Sequence, residues 1–276
     1  CPGPLAYYEA LGCTPIYSAE GDCCAVEYNC DYLNGRSKEK CYLRDQIYEI
    51  GERLRPEDAR PCDIGCTCAM GSDGFAAFNC AVVDCFQGPP KDGCYRNNTL
   101  DSCCPGVEVC PKNPENRPRC VVDGSEYRGG EYFTPKADPN LSCICSEGFK
   151  GEYVLPFCKY PKPSCNPEFR NAGEIHNKCA PVYYSSQNPN SACSVFSRCQ
   201  NSNDTVVASG DPPTDEDSTC SFGQLKMNRG DELNSATDYS SVCVKCVCEV
   251  PPLPTCQRLP DNECDTLANA IKLRTS

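Results

Sequence analysis

Residues 41–110 read CYLRDQIYEIGERLRPEDARPCDIGCTCAMGSDGFAAFNCAVVDCFQGPPKDGCYRNNTLDSCCPGVEVC. The fold is decided by the ten cysteines of this stretch: Cys41, Cys62, Cys66, Cys68, Cys80, Cys85, Cys94, Cys103, Cys104 and Cys110. A lone cysteine is followed by a tyrosine-bearing segment, a C-x-x-x-C-x-C cluster, three spaced cysteines, a C-C doublet and a closing cysteine. Ten is even, so the stretch can close on itself as five disulfides. The opening CYLRDQIYEIGERLRP reads as two short strands around a turn at Gly51.

The rest of the chain repeats this pattern, whole or cut. Residues 1–30 carry Cys1, Cys13, Cys23, Cys24 and Cys30, and CCAVEYNC has the spacing of CCPGVEVC at 103–110. They are therefore the rear half of a module, with 31–40 as a polar connector. Residues 111–119 form a second, Pro-rich connector expected to be extended. Cys120 opens an eight-cysteine module over 120–199, with Cys143, Cys145, Cys158, Cys165, Cys179, Cys193 and Cys199 and a turn near Gly129–Gly130. Pro139 stands where Cys62 stood, and Ala192 replaces the first cysteine of the doublet. Loss of two positions together implies loss of one disulfide, so Cys62 is expected to pair with Cys103. Residues 200–219 are acidic, Ser- and Pro-rich, and read as a flexible linker. Residues 220–276 carry the front of the pattern: Cys220, Cys243, Cys246, Cys248, Cys256 and Cys264. The final DTLANAIKLRTS is a candidate short helix.

Composition sets the physics. Cysteine is 29 of 276 residues, with 25 Pro, 20 Gly, no Trp and two Met. Such modules are held by cross-links more than by packed cores. A native disulfide in a small module contributes roughly 2–5 kcal/mol. The cysteine load implies an oxidising compartment and a secreted, extracellular protein. One histidine, His176, and the absence of matched C-x-x-C pairs argue against a metal site. A net charge of −12 without a basic stripe argues against nucleic acid. No run of 18 apolar residues is present to span a membrane. The sequence opens on Cys1 in the rear half of a module, which reads as a mature form or a piece of something longer.

The C-x(2,3)-C-x-C cluster followed by spaced cysteines and a C-C doublet resembles the von Willebrand factor type C family, also seen in chordin-like proteins. It is carried by Cys62/Cys66/Cys68 with Cys103/Cys104/Cys110, by Cys143/Cys145 with Cys193/Cys199, by Cys243/Cys246/Cys248, and by Cys23/Cys24/Cys30. YEIGE at 48–52 and YRGGE at 127–131 fit the turn before the cluster. The resemblance covers nearly the whole chain outside the linkers. It implies small, disulfide-rich, mostly β modules in an elongated beads-on-a-string array. Each module would have a three-stranded front half and an irregular rear half, with no catalytic activity. Family members serve in matrix, in multimeric adhesion proteins and in capture of bone-morphogenetic-type growth factors.

Other motifs are weighed against plainer readings. Arg229-Gly230-Asp231 spells an integrin-type tripeptide, but alignment with YRGGE makes Gly230 a turn glycine, and the turn is the preferred reading. Asn97, Asn140 and Asn203 head N-glycosylation sequons, so N-linked glycans are expected. The run 211–217 lacks the ligand spacing of a calcium loop. His176 has no catalytic partner, and Cys243–Cys246 lacks a redox-fold context. No enzyme chemistry and no cofactor are expected. Twenty-nine is odd, so at least one cysteine lacks a partner within the chain, and it either bonds another chain or marks a cut. The chain reads as a structural or matrix protein of tandem modules. Its partners are other copies joined head to tail, or neighbouring modules of a longer chain. Growth-factor capture is the alternative, with protease inhibition behind it; both need only a surface for extracellular protein ligands.

Overall fold

The computed structural model describes residues 1–59, 61–100, 102–160, 165–209, 218–260 and 262–265. The acidic run at 211–217 and all but the first residue of the candidate C-terminal helix at 265–276 lie outside them. The chain is disulfide-rich and mostly β, with fourteen disulfides and a few short helices. It divides into two compact units, Cys1–Glu52 with Cys68–Phe78 and Pro163–Ser276, and Arg53–Thr67 with Asn79–Lys162.

Three front halves are built alike. Each opens with a hairpin: Lys40–Leu43 with Gln46–Glu49, Arg119–Val122 with Ser125–Arg128, and Thr219–Phe222 with Leu225–Asn228. The first reversal falls at Arg44–Asp45, Asp123–Gly124 and Gly223–Gln224, ahead of the turn glycine that the sequence brings forward. Gly51, Gly130 and Gly230 make a second reversal, each with φ near +90° (91°, 87° and 89°), where a Cβ is strained. The three glycine N–H groups each donate to a cysteine carbonyl, of Cys68, Cys145 and Cys248, at 2.8 Å. The acidic residue that follows, Glu52, Glu131 or Asp231, turns its carboxylate back onto the backbone N–H three residues earlier, at 2.6, 2.9 and 2.7 Å. Disulfides Cys41–Cys68, Cys120–Cys145 and Cys220–Cys248 clamp the hairpin to the strand that follows. Cys66–Cys80, Cys143–Cys158 and Cys246–Cys256 staple that strand to its neighbour.

The rear halves repeat too. A short strand pair follows one cysteine and precedes another: Thr14–Ile16 with Glu27–Asn29, Tyr95–Arg96 with Glu108–Val109, and Ala180–Tyr183 with Phe196–Arg198. Disulfides Cys13–Cys30, Cys94–Cys110 and Cys179–Cys199 close them. Cys1–Cys24, Cys85–Cys104 and Cys165–Cys193 tie the preceding segment to the doublet or its remnant. Cys62 is bonded to Cys103, the pair that the two vacancies in the third module single out.

The connectors differ from the sequence reading. Pro114–Asn116 is a 3-10 turn capped by the Asn113 side chain on Glu115 N–H, not an extended segment, because Pro114 sits at a helical N-terminus where its missing N–H costs nothing. The segment read as a linker from 200 is partly built into the fold. Asp204 is buried, and Val206–Val207 pairs with Glu232–Leu233 at the edge of a six-stranded sheet. That sheet runs Phe196–Arg198, Ala180–Tyr183, Thr255–Arg258, Val244–Val247, Glu232–Leu233, Val206–Val207. Ala180–Tyr183 meets Thr255–Arg258 in parallel register, so the rear half of the third module and the fourth front half share one sheet.

Helices of two rear halves cap front-half hairpins of other modules. Between Cys165 and Cys179, Phe169 stacks on Phe78 at 5.2 Å and His176 lies against Phe75 at 5.0 Å. Helix Leu5–Leu11 ends at Gly12 in the left-handed region and buries Tyr7, Tyr8 and Leu11. The Tyr8 hydroxyl donates to the Val250 carbonyl at 2.7 Å and accepts from Leu253 N–H at 3.0 Å. Tyr28 N–H donates to the Pro251 carbonyl at 2.9 Å and Gly3 N–H to Glu249 Oε2 at 3.0 Å. Residues 1–30 and 249–253 thus meet within one chain, more than 220 positions apart. Tyr8→Phe leaves these buried backbone groups unpaired and is expected to cost about 1–3 kcal/mol at this contact. Hydrogen exchange reads it: the Leu253 and Tyr28 amides should lose protection, while those of 142–144 should not change.

Candidate functional site

The candidate sites singled out by the sequence are surface and contact positions. The tripeptide at 229–231 sits in the second turn of the fourth front half. Asp231 is 5% exposed and accepts from Asn228 N–H at 2.7 Å and Ser209 N–H at 3.1 Å. The Arg229 guanidinium donates to the Val26 carbonyl and to Ser218 Oγ. Both charged ends are engaged inside the fold. Asp231 does the same work as Glu52 and Glu131, and Arg229 adds a tie to the N-terminal rear half.

The three sequon asparagines are exposed. Asn97 lies beside Asn98, whose amide binds Gly130 carbonyl at 3.0 Å and Gly106 N–H at 2.9 Å. Its neighbour therefore anchors the loop while Asn97 faces out. Asn140 sits in a turn held by Asp138, and the residue that buries itself there is Leu141. Asn203 tops a loop closed by Asn201 and Asn234. Packing leaves all three accessible to a glycosyltransferase.

The strongest polar cluster was invisible in the sequence. Arg198 is fully buried. Its guanidinium pairs with Asp204, donates to Thr237 Oγ1 at 3.2 Å, lies 3.4 Å from Cys246 Sγ, and stacks over Phe222 at 5.2 Å. Thr237 Oγ1 donates to Asp204 at 2.7 Å and accepts from Asn201 Nδ2 at 2.9 Å. Burial pulls the guanidinium down from its ordinary value, and Asp204 and Asp238 oppose the shift. Hydrogen bonds from Ser240 and Ser241 outweigh burial and hold the Asp238 carboxyl below its usual range. The cluster is a lock between the third and fourth modules. A second lock is Glu168, buried, which takes Arg36 Nη2 at 2.6 Å and Arg44 N–H at 2.6 Å. Burial pushes this carboxyl up against those partners. In sequence, Arg198 beside a closing cysteine and Asp204 in a polar run look like solvated charges.

Cys23 is the free cysteine, and it is exposed. Pairing elsewhere follows position in the pattern, with one exception, Cys243–Cys264. A cavity of about 520 Å³ has Cys1, Gly3, Lys245, Leu259 and Pro260 among its lining residues. No helix among the described residues is long and apolar enough to cross a membrane. No protein-family model and no solved structure matches the chain.

Two outcomes follow. On the protein isolated from its source, glycosidase treatment should remove three glycans, and Thr99→Ala, Ser142→Ala and Thr205→Ala should each remove one, read by intact mass. Arg198→Met strands a buried Asp204 carboxylate and should cost roughly 3–5 kcal/mol. Arg198→Met with Asp204→Leu should recover most of the lost thermal stability, which a merely steric role for Arg198 would not give.

Proposed function

We propose that this is a secreted structural protein of tandem disulfide-linked modules, similar to von Willebrand factor type C repeats, that joins other modules of its own kind through rear-half helices and front-half hairpins. The observation that carries the reading is the docking of residues 1–30 on 249–253. A half-module at one end of the sequence is complementary to a half-module at the other. Exchanged between copies, or repeated between neighbouring modules of a longer chain, in place of the contact made within one copy, the same two surfaces give a heterologous contact that does not close, and such contacts propagate as filaments. Disulfide density, glycans on exposed loops and the buried Arg198 and Glu168 locks suit a mechanical role, in which repetition supplies length and cross-links supply resistance.

Capture of a secreted growth factor is the second reading. It is favoured by apolar side chains in the front half of the third module, where Leu155 is 68% exposed, Val154 60% and Val121 73%. Such exposure marks an interaction surface when the residues are contiguous.

The test is the size of source-derived, glycosylated protein by analytical ultracentrifugation and negative-stain microscopy, with and without reductant. Regular filaments or a ladder of multiples are the expected result. A monodisperse particle of one chain at all concentrations removes the assembly reading and leaves capture as the better account.

A further inference from the structure

Every disulfide but one obeys a single positional rule. Numbering the complete module from Cys41 as first to Cys110 as tenth, first bonds fourth, third bonds fifth, sixth bonds ninth and seventh bonds tenth, wherever these positions occur. The second bonds the eighth, as Cys62 does Cys103. The chain holds one other second-position cysteine, Cys243, and one other eighth-position cysteine, Cys23. Cys243 bonds Cys264, a sixth-position residue, and Cys23 is the exposed thiol. The exception and the free thiol thus stand at the two positions that bond one another in the complete module.

The half-modules that carry them are in contact. Tyr8, Gly3 and Tyr28 bind the 249–253 turn, and Arg229 binds the Val26 carbonyl two residues after the doublet. Cys1 Sγ lies 3.7 Å from the Cys23 carbonyl, and Cys1 lines the 520 Å³ cavity. Leu259 lines the same cavity, and its N–H donates to the Cys243 carbonyl at 2.8 Å. The matching bond in the complete module runs from Val83 N–H to the Cys62 carbonyl at 3.0 Å. The two second-position cysteines share this hydrogen bond, while Cys243 alone adopts a left-handed backbone, φ 54°.

We propose that Cys23, Cys243 and Cys264 form a thiol–disulfide exchange site that staples the N-terminal rear half to the C-terminal front half of the same chain. The Cys23 thiolate attacks the Cys243 sulfur. The Cys243–Cys264 bond breaks, the Cys23–Cys243 bond forms, and Cys264 leaves as a thiolate that takes up the proton Cys23 lost. One disulfide is exchanged for another, with no net oxidant. The odd thiol moves from the doublet to Cys264. The inference rests on the repeated cysteine pairing and on the contact of residues 1–30 with 249–253 within one chain, the contact from which the proposed assembly is also argued.

The folded protein is alkylated either directly or after incubation in a glutathione redox buffer, digested without reduction and mapped by mass spectrometry. Alkylation at Cys23 with a Cys243–Cys264 peptide is expected at first. Incubation should yield a Cys23–Cys243 peptide and move the alkyl label to Cys264. Material isolated already carrying Cys23–Cys243 supports the same conclusion. Retention of the label on Cys23, or a glutathione adduct there in place of the protein bond, overturns it. Cys264→Ser keeps the test independent of the starting isomer: oxidised glutathione should convert its two thiols to Cys23–Cys243, and recovery of both as alkylated cysteines overturns the proposal. Mixing isotope-labelled with unlabelled copies should give no mixed-isotope Cys23–Cys243 peptide; finding it contradicts the intrachain staple.

Discussion

The interleaved pair of disulfides in each front half is the constraint on which the rest of the structure depends. One bond clamps the opening hairpin to the following strand, and the second staples that strand to its neighbour two residues away. Without them a two-stranded ribbon of this length is marginal in water. With them, cystine becomes the core. Cys143, Cys145, Cys220, Cys246, Cys248 and Cys256 are all fully buried, and Val122, Phe133, Phe222, Met227 and Val244 pack around them. The glycine turn follows from this clamp. Its N–H must reach a carbonyl on the fourth cysteine, which sets φ near +90° and leaves glycine as the fitting residue.

Small modules of this kind bury little apolar surface each, and the structure compensates by sharing surface between them. The rear half of the third module contributes strands to the sheet of the fourth front half and a helix to the hairpin of the second. The N-terminal rear half lays Tyr8 on Val250 and Leu253. Charged locks sit at these shared surfaces, Arg198 with Asp204 and Glu168 with Arg36. Each leaves a buried unpaired charge when one partner is lost, so the arrangement of modules is specified as well as stabilised. This is the physical basis for reading the chain as material that associates with its own kind.

Much of this was legible in the sequence. Cysteine spacing gives the repeats, and the loss of two cysteines from the third module singles out Cys62 with Cys103. Alignment of Gly230 with Gly130 and Gly51 identifies the turn, and the buried Asp231 gives that alignment its physical sense. Other features carry no local signal. The seat of Tyr8 lies 242 residues away, and its partners are backbone carbonyls that any sequence supplies. Arg198 and Asp204 are polar residues in a polar stretch, and only the sheet that Val206–Val207 joins takes them out of water. At Arg44–Asp45 no glycine marks the reversal, since Arg44 itself adopts φ 57° with its N–H bonded to Glu168 of another module, whereas Gly124 and Gly223 do mark the other two. Local rules fail at each place where a second module supplies the restraint.

The most direct measurement is a nuclear Overhauser contact between the Tyr8 ring and the Val250 methyl groups, recorded on natively folded protein in which labelled copies are diluted into unlabelled ones. The account predicts the contact within a single labelled copy, together with protection of the Leu253 amide. Absence of the contact in both diluted and fully labelled samples would contradict the complementarity of the two half-modules, and with it the basis for self-association.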